Sequence, residues 1–204
     1  MIGASLKIEN SLWQSGLKHI LGIDEVGRGS WAGPLVAAGV ILPANIKLKL
    51  PIADSKKLSA IAREKLAIEI RKIAEYSTIT EISHSLINKL GLAKAAQMAF
   101  SKVAKSSRSS ADFFLIDAFY IKNLQNKKQL AINQGDEISA SIAAASIIAK
   151  VYRDDLMQKF HNIYPIYNFN KNKGYGTRDH QNAIRKYGFC QIHRTGFNLN
   201  YLVS

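Results

Sequence analysis

A chain of 204 residues can bury a full hydrophobic core in one domain, and a hydrophobic fraction of 47% excludes a disordered polymer. Its single cysteine, Cys190, excludes an intramolecular disulfide and a multi-thiolate zinc site, and suits a reducing compartment. The charge is lopsided: 28 Lys and Arg stand against 15 Asp and Glu, a net of +13 that draws polyanions to the surface.

In chain order, residues 1–18 are expected to be a leader with little fixed structure, ahead of a single domain over 19–204. The opening stretch MIGASLKIENSLWQSG has no apolar run of signal-peptide length, and the apolar segment Ile142–Ala149 is too short to cross a bilayer. A cytoplasmic, soluble monomer without membrane association is expected. Residues 19–26 (HILGIDEV) predict a first strand and 35–42 (LVAAGVIL) a second, stopped by Pro43. From residue 59 the spacing of Leu58, Ala62, Leu66, Ile70 and Ile73 predicts a helix with Ser59 as N-cap. A third strand is expected over 76–82. Helices over 84–90 and 92–105 follow, divided at Gly91, then a polar loop over 105–111 and short strands over 113–117 and 129–133. Residues 139–161 predict a long helix whose Ala-rich front lets it lie close on a sheet. A loop rich in Asn, Lys, Gly and Tyr fills 162–176, and residues 177–187 predict a last helix between Thr177 and Gly188. This mixture predicts an α/β domain on a mixed sheet.

Asp24 and Glu25 end the first predicted strand, just before a Gly27-Arg28-Gly29 turn. Adjacent carboxylates beside a buried strand repel each other unless a cation neutralises them, and Mg²⁺ or Mn²⁺ takes oxygen ligands. Taken alone, such a pair is more often a solvated strand end. Successive strand side chains also face opposite ways, so both acids reach one site only if the strand end twists sharply. Asp117 closes the apolar run Phe113–Ile116, and Asp136 stands in Gln134-Gly135-Asp136-Glu137; each by itself reads as turn chemistry. Together, four strand-end acids converging on one sheet edge are what two hard cations about 4 Å apart require. A competing motif overlaps the first. Gly27-Arg28-Gly29-Ser30-Trp31-Ala32 fits the dinucleotide fingerprint, with Asp54 at the ribose distance. Asp24 and Glu25 would repel a pyrophosphate there, and the next segment predicts a strand where that fold needs a helix.

Other features suit phosphates. Asp54-Ser55-Lys56-Lys57-Leu58-Ser59 sets two lysines before a helix N-terminus, although an ordinary capped start explains them equally well. Lys173-Gly174-Tyr175-Gly176-Thr177 combines a cation, a flexible backbone and a flat ring. Residues 150–204 hold nine Lys and Arg against three acids, with Tyr164, Tyr167, Phe169, Tyr175 and Tyr187 between them. Cations interleaved with aromatics suit phosphates and stacked bases better than a lipid surface.

The segments GIDEVGRGSWAGPLVAAGVIL, DSKKLS, FFLID, QGDEISASIAAASIIAKVYRD, YPIYNFNKNKGYGTRDH and YGFCQIHRTGF, spread over about residues 20–198, resemble the bacterial ribonuclease HII family in content and order. The resemblance implies a ribonuclease H-like fold, a mixed sheet flanked by helices, with a C-terminal helical region that binds substrate. It implies that Asp24, Glu25, Asp117 and Asp136 are catalytic and ligate two Mn²⁺ or Mg²⁺ ions. Gly27, Arg28 and Gly29 would meet the ribonucleotide at an RNA–DNA junction, and Tyr175 would stack there. Lys56, Ser146 and Lys173 would lie near the nucleic acid. The implied reaction is endonucleolytic cleavage of RNA–DNA hybrids and of duplex DNA holding a single ribonucleotide. Ser30-Trp31, Ala118 and Gln134 depart from the pattern, standing where a smaller apolar pair, a glycine and a lysine are expected. Cys190 and His193 are expected to pack without chemistry. A non-catalytic nucleic-acid-binding module and an integrase-like nuclease remain as rival readings.

Overall fold

The computed structural model describes residues 4–48, 50, 52 and 58–203. Lys56 and its neighbours Asp54, Ser55 and Lys57 lie outside the described residues, so the expectations placed on them are not followed below.

Five strands form one mixed sheet in the order β3-β2-β1-β4-β5. They are β1 (Ile20–Val26), β2 (Leu35–Ile41), β3 (Tyr76–Ile82), β4 (Phe113–Asp117) and β5 (Gln129–Ile132). β1 is central, antiparallel to β2 and parallel to β4. β2 is buried along its whole length, matching its unbroken apolar sequence. β3, at the edge, keeps polar Ser77 and Glu81 exposed and so blunts further pairing. The strand over Leu35–Ile41 also removes the dinucleotide-fold alternative, which needs a helix there.

Helices cover both faces. α2 (Ala60–Ile73) and the long α5 (Ala140–Ile163) pack with Val36, Ala38 and Val40 of β2. α3 (His84–Leu90) and α4 (Leu92–Ser106) pack on the opposite face, against Leu21, Ile23, Leu35 and Ala37. Alternation along β1 and β2 sorts these side chains to the two faces. The Ala-rich front of α5 meets β1 backbone to backbone: a Cβ on Gly22 would collide with the main chain at Ser141. Ser59, Ser83, Ser139 and Thr177 cap α2, α3, α5 and the last helix, each accepting an N–H from the first turn.

Residues 1–18 are not a structureless leader over their described part. α1 (Lys7–Gln14) docks beside α5 and buries Trp13 against Ile20, Leu115 and Ile142. Glu9, fully buried, accepts the Ser139 hydroxyl at 2.6 Å and the Ser141 N–H at 2.9 Å. A carboxylate thereby caps the positive end of α5. Within 162–176 the expected loop contains a helical turn, α6 (Phe169–Asn172), before α7 (Arg178–Tyr187).

Candidate metal centre and nucleic-acid interface

The ends of β1 and β4 bring acids together. Oxygens of Asp24, Glu25 and Asp117 lie within 4.8 Å of one another. They do so although both Asp24 and Glu25 lie within the regular β1–β2 ladder, opposite Ala38 and Ala37, just before Gly27 turns the chain with φ +89°. Asp24 is 6% exposed; its Oδ1 accepts the Glu25 N–H at 2.7 Å, and the Ser146 hydroxyl bonds its carboxylate. Burial, then the charges of Glu25 and Asp117, push the Asp24 pKa well above the carboxylate range, while Ser146 opposes the shift. Burial raises Glu25 to about 7 against the pull of Arg28, whose Nη1 is 3.6 Å from Oε1. Glu25 Oε2 is buried without a hydrogen-bond partner. Three crowded carboxylates, one with an orphaned oxygen, fit a hard divalent cation, which would take up those oxygens and offset their repulsion.

Asp136 is not among the oxygens that converge. It sits in the 3-10 turn Gly135–Glu137 leading into α5, and that turn is tied to the centre because the Gly135 N–H donates to Asp117 Oδ1 at 2.7 Å. Asp136 therefore borders the cluster from the α5 side.

Two loops distant in sequence form the floor beside the acids. Trp31 and Ala32 donate their N–H groups to the carbonyl of Gly174, at 2.8 and 3.3 Å, joining the Gly27–Gly33 turn to the Lys173–Gly176 loop. Two buried arginines that sequence reasoning missed hold this pair. Arg153 of α5 donates to the carbonyls of Pro34, Lys173 and Ala32 and to Ser30 Oγ. Arg194 donates to the carbonyls of Gly33, Gly27 and Arg28. Gly27 has to be glycine, since a Cβ there would strike the Arg153 guanidinium. Tyr175 is half-buried, with the Arg153 guanidinium 5.5 Å from its ring centre.

Comparison with known proteins decides what this assembly belongs to. A family model described as ribonuclease HII matches residues 21–200. The chain is 46% identical to the ribonuclease HII of Desulfitobacterium hafniense (strain DCB-2) over 96% of its length and 75% of the relative's. It is 46% identical to the ribonuclease HII of Caldanaerobacter subterraneus over 91% of its length and 76% of that relative's. The chain belongs to the ribonuclease HII family. It is thus a metal-dependent type 2 ribonuclease H. The fold agrees: the ribonuclease H2 of Pyrococcus horikoshii superposes with a TM-score of 0.75 at 23% identity, covering 90% of this chain and 96% of that one.

The departures from the ribonuclease HII pattern sit in distinct local settings. Ala118 has φ +60° and Gln134 φ +55°, left-handed conformations that a glycine adopts without strain. Ser30 is buried, donates to the Gly27 carbonyl and accepts from Arg153. Trp31 fills the space left by the missing side chain of Gly176 and lies 5.9 Å from the His180 ring. Of the five aromatics singled out in the C-terminal region, Tyr167 and Phe169 are core residues stacked 5.4 Å apart, Tyr164 packs against that core, Tyr175 is half-buried and Tyr187 is exposed.

His180 and His193 are packed, as expected for His193, but their packing carries direction. The Cys190 N–H can only donate, so His193 Nδ1 accepts it at 2.8 Å and the ring proton sits on Nε2. That Nε2–H faces His180 Nε2 at 3.0 Å, which must accept. The remaining proton, on His180 Nδ1, is then donated to the Tyr175 carbonyl at 3.0 Å. Burial and the neighbouring His180 push His193 down to about 4, and burial also lowers His180. Both rings therefore stay neutral in the fold and would gain a proton on unfolding below pH about 6.5. The stability they confer is complete above that pH and falls as pH drops toward 4. Denaturant titrations at pH 7.5 and 4.5 should show about 2–3 kcal/mol of loss attributable to His193. His193→Gln keeps a donor to His180 and should remove that share of the pH dependence; an unchanged slope would place the proton uptake elsewhere.

Proposed function

We propose that the chain hydrolyses the RNA strand of RNA–DNA hybrids and cuts on the 5′ side of single ribonucleotides in duplex DNA, leaving 5′-phosphate and 3′-hydroxyl ends. The observation that carries this reading is the convergence of the Asp24, Glu25 and Asp117 oxygens within 4.8 Å beside the joined Gly27–Gly33 and Lys173–Gly176 loops. Asp24, Glu25, Asp117 and Asp136 would hold two divalent ions, Mg²⁺ or Mn²⁺, which when bound make water nucleophilic near neutral pH and offset charge on the phosphate. Ser146 and the Glu25 N–H fix the orientation of the Asp24 carboxylate. In the Gly27–Gly29 turn Gly27 is buried, with its carbonyl held by Arg194 and Ser30, and Gly29 is exposed, so a ribose would approach the peptide groups around Gly29. A 2′-hydroxyl both donates and accepts, and peptide groups at that turn would distinguish it from a bare C2′. Tyr175 would stack at the RNA–DNA junction, while Lys173 and Arg28 would meet phosphates. The role that follows is removal of misincorporated ribonucleotides and RNA primers, by a cytoplasmic monomer whose residues 19–204 act as one catalytic unit.

The test compares an RNA–DNA hybrid, an all-DNA duplex and a DNA duplex with one ribonucleotide, with and without chelator. Cutting of the first and third only, lost in chelator and restored by Mn²⁺ or Mg²⁺, is expected. Cutting of the all-DNA duplex would favour an integrase-like nuclease, and binding without cutting a non-catalytic module. On the same substrates, Tyr175→Ala should lose roughly ten- to a hundredfold in kcat/KM at the single ribonucleotide, from about 1–3 kcal/mol of stacking. The loss on the long hybrid should be smaller, and Tyr175→Phe should keep more activity than Ala. Equal losses on both substrates would make Tyr175 a packing residue.

A further inference from the structure

The turn that carries Asp136 has little to hold it from within. It is a three-residue 3-10 segment, Gly135–Glu137, entered through Gln134 in the left-handed region at φ +55°. Segments so short have no stability of their own, and a glutamine keeps that conformation only where its surroundings impose it. A metal ligand, in contrast, has to be placed to within about 0.5 Å.

The N-terminal segment from Ser5 to Trp13 supplies those surroundings. Ser5 pairs with Ser139 as a short parallel bridge: its N–H donates to the Ile138 carbonyl and its carbonyl accepts the Ala140 N–H, both at 3.1 Å. Four residues on, Glu9 Oε1 accepts the Ser139 hydroxyl and the Ser141 N–H. Four further, Trp13 packs with Ile142, whose Cδ1 stands 2.7 Å from where a Cβ on Gly135 would lie. The spacing of four sets Glu9 and Trp13 on one face of α1. From Ser139 the bonds run on toward the acids. The Ser139 N–H donates to the Gly135 carbonyl at 2.8 Å, and the Gly135 N–H donates to Asp117 Oδ1 at 2.7 Å. Hydrogen bonds thus run without a gap from Glu9 through Ser139 and Gly135 to Asp117.

We infer that α1 is a positioning element of the metal centre: Glu9, acting through Ser139, fixes the turn that presents Asp136 and orients Asp117. The inference rests on the function proposed above, in which both acids hold metal. Glu9 is a positioning residue and not a ligand, and α1 sets how tightly the centre takes its ions.

The experiment measures Mn²⁺ binding to the full chain from the EPR signal of free Mn²⁺, with amide exchange and cleavage kinetics on the same proteins. Glu9→Ala should weaken Mn²⁺ binding roughly ten- to a hundredfold and raise the Mn²⁺ needed for half-maximal cutting by the same factor. Amide exchange at Gly135 and Ser139 should speed up, while kcat at saturating Mn²⁺ and KM for the nucleic acid change little. Glu9→Gln keeps the acceptor oxygen and should bind Mn²⁺ nearly as the wild type does. Val103→Ala opens a cavity under α4, on the other face of the sheet. It should lower the melting midpoint and leave Mn²⁺ affinity alone. If Glu9→Ala did not fold, Ser139→Ala would decide: it cuts the link to the turn while Glu9 keeps the Ser141 N–H, and the same weakening is expected. Wild-type Mn²⁺ affinity in Glu9→Ala or Ser139→Ala, equal weakening in Glu9→Gln, or equal weakening in Val103→Ala would overturn the inference. Asp136→Asn tells the two failures apart. Wild-type Mn²⁺ affinity in that variant would overturn the ligand assignment itself, and the inference with it; weakened affinity there beside an unaffected Glu9→Ala would overturn the inference alone.

Discussion

Asp24→Asn is expected to remove cleavage almost completely while leaving the protein folded and somewhat more stable. Asn keeps the shape of the carboxylate and can still accept the Glu25 N–H, so the strand end retains its local bond. It deletes one of three negative charges whose oxygens lie within 4.8 Å. Burial and the neighbouring carboxylates raise the Asp24 pKa far above its ordinary range, so at neutral pH the ionised group opposes folding. Removing that charge relieves the opposition, and each kcal/mol of relief raises the melting midpoint by about 2–4 °C in a chain of this size. Activity depends on the opposite property. A cation bound through several carboxylates supplies several kcal/mol of transition-state stabilisation, so losing a charged ligand should lower kcat by roughly a thousandfold or more. A second measurement separates ligation from packing. Adding Mn²⁺ should raise the wild-type midpoint, by as much as about 2.7 kcal/mol of stabilisation at a hundred times Kd, and should raise that of Asp24→Asn much less. Near-normal turnover, or an equal Mn²⁺ response in both proteins, would show that Asp24 is not a ligand.

The strands and main helices were legible because their periodicity is strong and their ends are marked. Pro43, Gly91 and Gly188 stop elements, and Ser59, Ser139 and Thr177 begin them. The acids of β1 and β4 were legible because a charge at the end of an apolar run is conspicuous. Their convergence was not, since it depends on the parallel pairing of β1 with β4, which sets Asp117 beside Asp24 and Glu25. α1 went unseen because Glu9, at a buried position, reads as surface; its burial makes sense only against the α5 N-terminus, 130 residues away. The same holds for Tyr167 and Phe169, which look like exposed aromatics in a basic stretch until His180 and His193 close over them. For Arg153 a signal existed: it falls at core spacing in α5, between buried Ala149 and Met157, where a cation requires a reason. Arg194 lies in irregular chain, and no pattern marks it.

Those two arginines carry the second large expectation. Arg153 is fully buried and Arg194 nearly so, and the hydrogen bonds of both go to main-chain carbonyls and one serine hydroxyl. Burial, then the charge of Arg153, lowers Arg194 to about 9, so two like charges are held close beneath the Gly27–Gly33 turn. The arrangement persists because the fork of Arg153 satisfies four acceptors from two chain segments, and a buried acceptor left unpaired costs about 1–3 kcal/mol. Arg153→Met should therefore destabilise by about 3–5 kcal/mol, a drop of roughly 6–20 °C in the midpoint, since the methionine fills space but leaves the acceptors bare. Arg153→Lys should fare little better, because one ammonium on a flexible stem cannot span acceptors on both the Ser30–Pro34 segment and Lys173. In both variants the two loops should part first, seen as faster amide exchange at Trp31 and Ala32, whose N–H groups now rest on the Gly174 carbonyl. Cleavage at a single ribonucleotide should fall with that exchange at temperatures where the sheet is still intact. If Arg153→Lys restored stability to within about 1 kcal/mol of wild type, the charge rather than the planar fork would be what holds the loops, and simple electrostatic attraction to the carbonyls would suffice.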